Sequence, residues 1–170
     1  MKKLMLLCLF AIGISLVASA QAPKKRLSPK DSVAITTKSG IDIKIVYGRP
    51  FLRGREITTV VPYGKVWRTG ANEATVFDIN KAVTIEGKEL PAGKYSLYTI
   101  PNENTTTLIF NKLWNQWGTN YDQSNDFLRV DVPMKKNPQQ VEEFTILLQK
   151  SGQVNLRWSY WDIEFKVKKG

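Results

Sequence analysis

Three stretches of this chain alternate apolar and polar residues one by one. Ile41, Ile43, Ile45 and Tyr47 alternate with Asp42 and Lys44. Leu128, Val130 and Val132 alternate with Arg129 and Asp131, and Ile163, Phe165 and Val167 with Asp162, Glu164 and Lys166. A strand sends successive side chains to opposite faces, so each run describes a strand with one buried and one wet face. No stretch holds an amphipathic helical stripe for three turns, although 52–58 and 120–126 each have room for one turn. Turn residues punctuate the runs: Ser39-Gly40, Glu86-Gly87, Asn102 to Asn104 and Ser151-Gly152 each predict a hairpin. The strands expected are 32–38, 41–48, 74–80, 82–86, 94–100, 105–111, 127–133, 142–150, 153–160 and 162–168. Many short antiparallel strands with frequent turns predict an all-β fold, an antiparallel β-sandwich of jelly-roll type with little helix.

The first twenty residues carry a different signal. Lys2 and Lys3 precede an apolar run from Leu4 to Val17, and Ala18-Ser19-Ala20 is a small-residue cleavage site. The run is short for a bilayer span, so it predicts a signal peptide cut near Ala20-Gln21 and a periplasmic or extracellular destination. Cys8, the single cysteine, lies inside that run after Leu7, which does not fit a lipidation site. The mature chain then has no cysteine and no disulfide, and must rely on an ordinary core. Residues 21–30 are rich in proline and lysine and read as a flexible lead-in to one domain, 31–170. A domain of about 150 residues buries roughly 70% of its unfolded surface. No further apolar run of membrane length follows, so no integral span is expected after cleavage.

Composition excludes several chemistries. The chain has no histidine, and after cleavage no cysteine, which removes Ser-His-Asp and Cys-His catalysis and the usual zinc and haem ligands. No phosphate-binding glycine loop or dinucleotide fingerprint occurs, so no cofactor is called for. The loop from Asp122 to Asp126 lacks the glycine and terminal glutamate of a helix-loop-helix calcium site, and no metal is assigned. Removing Lys2 and Lys3 from 25 basic residues leaves 23 against 15 acidic ones, a formal charge of +8. That charge suits an anionic partner, or reflects the basic ends Lys24-Lys25-Arg26 and Lys166, Lys168 and Lys169. No nucleic-acid recognition motif appears.

Three connections hold more chemistry than strand joints need. Around Tyr47-Gly48-Arg49-Pro50, the arginines Arg49, Arg53 and Arg55 lie within seven residues. An arginine fork can grip a carboxylate, phosphate or sulfate, or can staple its own loop to Glu56 or Glu73. The stretch from Pro62 to Thr75 contains Trp67, Arg68, Asn72 and Glu73. Trp67 offers a stacking face or a core plug. Arg68, Asn72 and Glu73 can bind a ligand together, or Arg68 can pair with Glu73 while Asn72 caps a turn. In the third connection, Trp114, Trp117 and Tyr121 sit among amides between two strands. They form either a platform for a sugar or a plug over an open end of the sandwich. Trp158 and Trp161 read as packing residues.

Several of these words resemble a bacterial exported family, domain of unknown function 2911. They are Tyr47 to Pro50, Gly54 to Ile57, the long run Val61 to Thr75, Leu90 to Pro101, and Phe110 to Lys112 with Trp117-Gly118. The resemblance covers about Ser28 to Lys168 and implies an exported β-rich domain of Bacteroidetes-type bacteria, with no catalytic residue to carry over.

The leading expectation is a non-catalytic binding or envelope-associated module. Its site would be Arg49, Arg55, Trp67, Arg68, Asn72 and Glu73, with Trp114, Trp117 and Tyr121. Its ligand would be a cell-envelope glycan or an anionic small molecule. Two alternatives stand beside it. One is a glycosidase-like hydrolase using Glu73 with Glu56 or Asp122, which needs its carboxyl groups about 5–10 Å apart. The other is a structural domain that docks an envelope protein.

Overall fold

Over residues 26–170, which the computed structural model describes, the chain is almost entirely antiparallel β-sheet. The signal segment and residues 21–25 of the lead-in lie outside the described residues. The strands are β1 (Lys30–Thr36), β2 (Asp42–Gly48), β3 (Thr75–Ile79), β4 (Val83–Ile85), β5 (Lys88–Leu90), β6 (Gly93–Pro101), β7 (Thr105–Asn111), β8 (Asp126–Leu148) and β9 (Gln153–Lys169). One turn of helix, α1 (Ile57–Val60), and a 3-10 turn at Gln123–Asn125 fall where single turns were expected.

All four expected hairpins form, joining β1 to β2, β4 to β5, β6 to β7 and β8 to β9. Glu86 and Gly87 both take positive φ, +47° and +82°, the geometry a two-residue hairpin turn requires. The short β5 was not expected as a strand, since Lys88-Glu89-Leu90 is too brief to show a period.

The strands pair in the order β1-β2-β3-β6-β7-β8-β9-β4-β5. Sequence neighbours are mostly sheet neighbours, except that β4 and β5 leave β3 and pair with the end of β9. The sheet turns back over itself. Phe165 on β9 meets Phe77 on β3 at 6.4 Å and Phe110 on β7 at 6.2 Å, although neither strand is hydrogen-bonded to β9. Phe144 on β8 packs edge-on to Tyr47 on β2 at 5.6 Å. The core between these faces includes the inward positions that the alternation predicts, Ile43, Ile45, Leu128, Val130, Ile163 and Phe165 among them, together with Phe77 and Leu97.

Two long strands replace four shorter expected ones. β8 pairs with β7 as far as Pro133 and with β9 from Met134 onward, so a single strand serves both layers. Its polar middle hides this continuity. The register slips between Lys136 and Val141 and again before Thr145, and Pro138 sits in that irregular stretch, where a missing N–H costs no ladder bond. In β9 the buried apolar positions are Val154, Leu156 and Trp158, then Trp161, Ile163, Phe165 and Val167. The parity changes at Ser159, whose φ of +52° accommodates the extra residue. That change of phase makes one strand read as two.

Candidate functional site

The outer face of β1, β2, β3 and β6 is a lattice of cross-strand rows. Lys44 lies opposite Asp78, and Asp78 opposite Lys94. In the next row Val46 faces Val76, and Val76 faces Ser96. In the third, Lys30 faces Gly48. Strand residues two apart share a face about 6.6–6.8 Å from each other, so the rows are evenly stepped.

The segment 112–118 stands over one side of this lattice as a wall. Ser96 Oγ donates to the Leu113 carbonyl at 2.6 Å, and Leu113 N–H donates to Asn111 Oδ1 at 3.0 Å. Ala74 N–H donates to the Gln116 carbonyl at 3.1 Å, Gly118 N–H to the Asn72 carbonyl at 3.0 Å, and Gln116 Nε2 to Tyr98 Oη at 3.1 Å. The corner at Gly118 tolerates no side chain, because a Cβ there would stand 2.3 Å from Arg68 Cδ and 2.8 Å from the Asn72 carbonyl oxygen. Beneath the wall, Ala74, Tyr98 and Ile109 form a second small apolar cluster, with Tyr121 packed on Tyr98 at 4.8 Å.

Between wall and sheet lies a cleft of about 460 Å³, of the size that holds a small ligand. Val46, Val76 and Ala74 floor it, while Trp114, Asn115, Gln116 and Trp117 line the wall side. Lys30, Lys44, Lys94, Glu73 and Asp78 supply its charge. Trp114 and Trp117 are 40% and 48% exposed, which is high for so large an apolar side chain. Lys94 Nζ sits 4.9 Å from the Trp114 ring centre and 3.7 Å from Asp78. Glu73 accepts from Arg26 Nη1 with both carboxylate oxygens at 2.8 Å. Its pKa is held below the ordinary carboxylate value, first by its own backbone N–H and then by Arg26 and Lys30, against a raising effect of burial.

Of the residues expected from sequence, Glu73, Trp114 and Trp117 share this cleft. Asn72 and Arg68 lie behind it. Asn72 takes a φ of +66° and donates from Nδ2 to the Ser28 carbonyl, fixing the lead-in rather than capping a turn. Arg68 does not pair with Glu73. Its stem packs on Gly118, it lines a shallow groove with Tyr98 and Tyr121, and its buried Nε has no partner among the described residues. Tyr121 donates to Asp126 at 2.7 Å and accepts from Arg129 at 2.6 Å. Burial first, and the bond to Asp126 second, push its pKa up to about 12.

The other expected residues are braces. Arg49 clamps β1 to β8 through Asp31 at 3.1 Å, Glu143 at 2.9 Å, Thr145 Oγ1 and the Phe144 carbonyl. Arg55 closes its own loop onto the Leu52 and Phe51 carbonyls, both at 2.8 Å. Trp67 stacks on Trp158 at 5.5 Å and donates to the Gly70 carbonyl. Glu56 lies in a different cleft beside Tyr63 and Trp161, and Asp122 caps the 3-10 turn by accepting from Ser124.

Sequence reasoning missed Lys44, Asp78 and Lys94, which lie within expected strands, and Lys30, which was read as lead-in and opens β1. A signal was present. Val46, Ala74 and Val76 occupy outward positions where water-facing strands carry polar residues, and apolar outward positions imply a cover.

Residues 28–167 match the family described as Protein of unknown function (DUF2911), and the chain belongs to that family. No curated protein and no solved structure matches the chain.

Proposed function

We propose that this member of the DUF2911 family is an exported, non-catalytic binding module that holds a saccharide chain along the outer-face cleft. The observation that carries this reading is the exposure of Trp114 and Trp117 over a floor of small apolar side chains. Indole rings cover the apolar faces of sugar rings, while Asn115, Gln116 and the charged side chains meet hydroxyl groups. The wall residues are anchored to the sheet by backbone bonds, so the platform is built before a ligand arrives and little ordering cost falls on binding. In this reading the partner is a glycan of the cell envelope, met after removal of the signal segment.

Glu73 serves binding here rather than general-base chemistry. Both of its oxygens already accept from Arg26, and its lowered pKa makes it a weak base at neutral pH. Neither Glu56 nor Asp122 lines the same cleft, and its second carboxylate, Asp78, is paired with Lys94 at 3.7 Å as Glu73 is with Arg26, which favours a charge-balancing role over a general acid and base.

The test is titration of the mature chain, residue 21 onward, with a panel of oligosaccharides, read by calorimetry and tryptophan fluorescence. At least one glycan should bind and quench fluorescence. Trp114→Ala and Trp117→Ala should each weaken it by about tenfold or more, the cost of roughly 1.4 kcal/mol of stacking. Saturable binding that both variants leave untouched would remove the cleft as the site.

A further inference from the structure

We infer that the saccharide held in this cleft is acidic, a short chain carrying carboxylate groups on separate sugar units. The inference rests on the cleft being the saccharide site and is carried by a different observation, the distribution of its charges. Four cations and two carboxylates surround the floor: Arg26, Lys30, Lys44 and Lys94 against Glu73 and Asp78. Arg26 is engaged by Glu73, and Lys94 is shared between Asp78 and the Trp114 ring. Lys30 and Lys44 make no ion pair among the described residues. Four cations against two carboxylates leave the cleft with an excess of two positive charges, and neither Lys30 nor Lys44 is tied down by such a pair.

Their spacing matters as much as their sign. Lys44 lies on β2, four residues before Gly48, and Lys30 lies opposite Gly48 on the neighbouring strand. Four strand residues and one inter-strand step place the two Cα atoms about 14 Å apart. Val46 lies between them on the floor. A single small anion would have to draw both lysine stems inward over Val46, whereas an oligosaccharide with a carboxylate on more than one ring meets each lysine at its own end of the floor while lying on the tryptophans. The free cations are lysines, compact and strongly hydrated point charges on flexible stems. Such groups suit carboxylates spread along a chain better than one deeply gripped anion, for which arginine forks are the usual choice. The nearest arginine, Arg26, is held by Glu73.

The experiment compares an oligogalacturonate with a neutral gluco-oligosaccharide of equal length, by calorimetry on the mature chain at low salt and at about 0.5 M salt. The acidic chain should bind at least about tenfold more tightly at low salt and lose most of that margin at high salt, as expected for partly exposed charge pairs. The double variant Lys30→Gln with Lys44→Gln should weaken the acidic chain by about tenfold or more and the neutral one by far less, so that the gap between the two closes. Both lysines are exposed, so this variant should keep the parent's circular dichroism and unfolding midpoint. Equal affinity for the two saccharides, lost on Trp114→Ala, would overturn the acidic preference and leave the saccharide site standing. An acidic preference that survives in the double variant would overturn the assignment of Lys30 and Lys44. No binding of either probe would overturn this inference, and silence across the wider panel would take the saccharide site with it.

Discussion

Two pairs of tryptophans live in different worlds in this molecule. Trp67 and Trp158 stack at 5.5 Å with Phe144 packed against both, and Trp158 is only 1% exposed. Trp114 and Trp117 stand on the far side of the sheet, 40% and 48% exposed, beside charged and amide groups. The inner pair belongs to the fold: its rings fill the space between layers, and each indole N–H donates to a carbonyl. The outer pair is held in place by its neighbours' backbones and itself holds up little. On the binding reading proposed above, stability and recognition fall to separate members of one residue type, which makes the two open to independent alteration.

That separation is open to attack from its strongest side first. Trp158→Ala should cost about 3–5 kcal/mol, since it empties a large volume between rigid layers. Urea denaturation should show it, and thermal unfolding should have a midpoint lower by roughly 6–20 °C at about 2–4 °C per kcal/mol. A loss below about 1 kcal/mol would mean that the inner pair is not the keystone described. Next comes Gly48→Ala, where a Cβ would stand 2.2 Å from the Ala71 carbonyl oxygen. This contact ties the loop before Glu73 to the sheet, and overpacking there should cost about 1–3 kcal/mol. Because it lies beside the cleft, it should also weaken saccharide binding, unlike Trp158→Ala in protein that remains folded.

On the outer side the stability effects should be small. Trp114→Ala gives up its stacking with Lys94, worth about 0.5–1 kcal/mol at an exposed site. Trp117→Ala should stay within about 0.5 kcal/mol by the same denaturation assay. A loss of several kcal/mol for either would make the outer pair a structural plug and erase the contrast. The mildest test is alkaline. Tyr121, pushed up to about 12 from 10.0, contributes stability that is complete below pH 10 and is lost as pH rises through its folded value. Tyr121→Phe should flatten the fall in stability over that window, seen by denaturation at stepped pH. An unchanged slope would detach the phenol from the bracing of the wall.

The inner half of this contrast was legible from the alternation of side chains, and most of the outer half was not. Period two located the buried face of β2, of the start of β8 and of the end of β9, because burial on one face leaves a direct imprint on the sequence. It failed where the phase changes within a strand, at Ser159 in β9, and where a paired strand is polar, as from Lys135 to Gln140 in β8. The cleft was read in fragments. Trp114, Trp117 and Glu73 were noticed for their chemistry, but Lys30 and Lys44 have no unusual chemistry and matter only through pairing across strands far apart in sequence. Arg49 and Arg55 show the converse. Their chemistry invited a ligand, and the fold supplies carbonyls and carboxylates of its own to satisfy them.

The excursion of β4 and β5 has a bearing on the order of assembly. Val83, Thr84 and Ile85 find their partners at Lys169, Lys168 and Val167, and Glu86 accepts from the backbone of Lys166, 80 positions later. A ribosome delivers the second half of that pairing more than 80 residues after the first. Until the later half emerges, the β4–β5 hairpin is a loose two-stranded ribbon with no second layer, and isolated ribbons of that kind are marginal in water. Distant pairings of this sort also slow closure of the fold. A fold built in this way cannot close its last ribbon until residues 167–169 have been made.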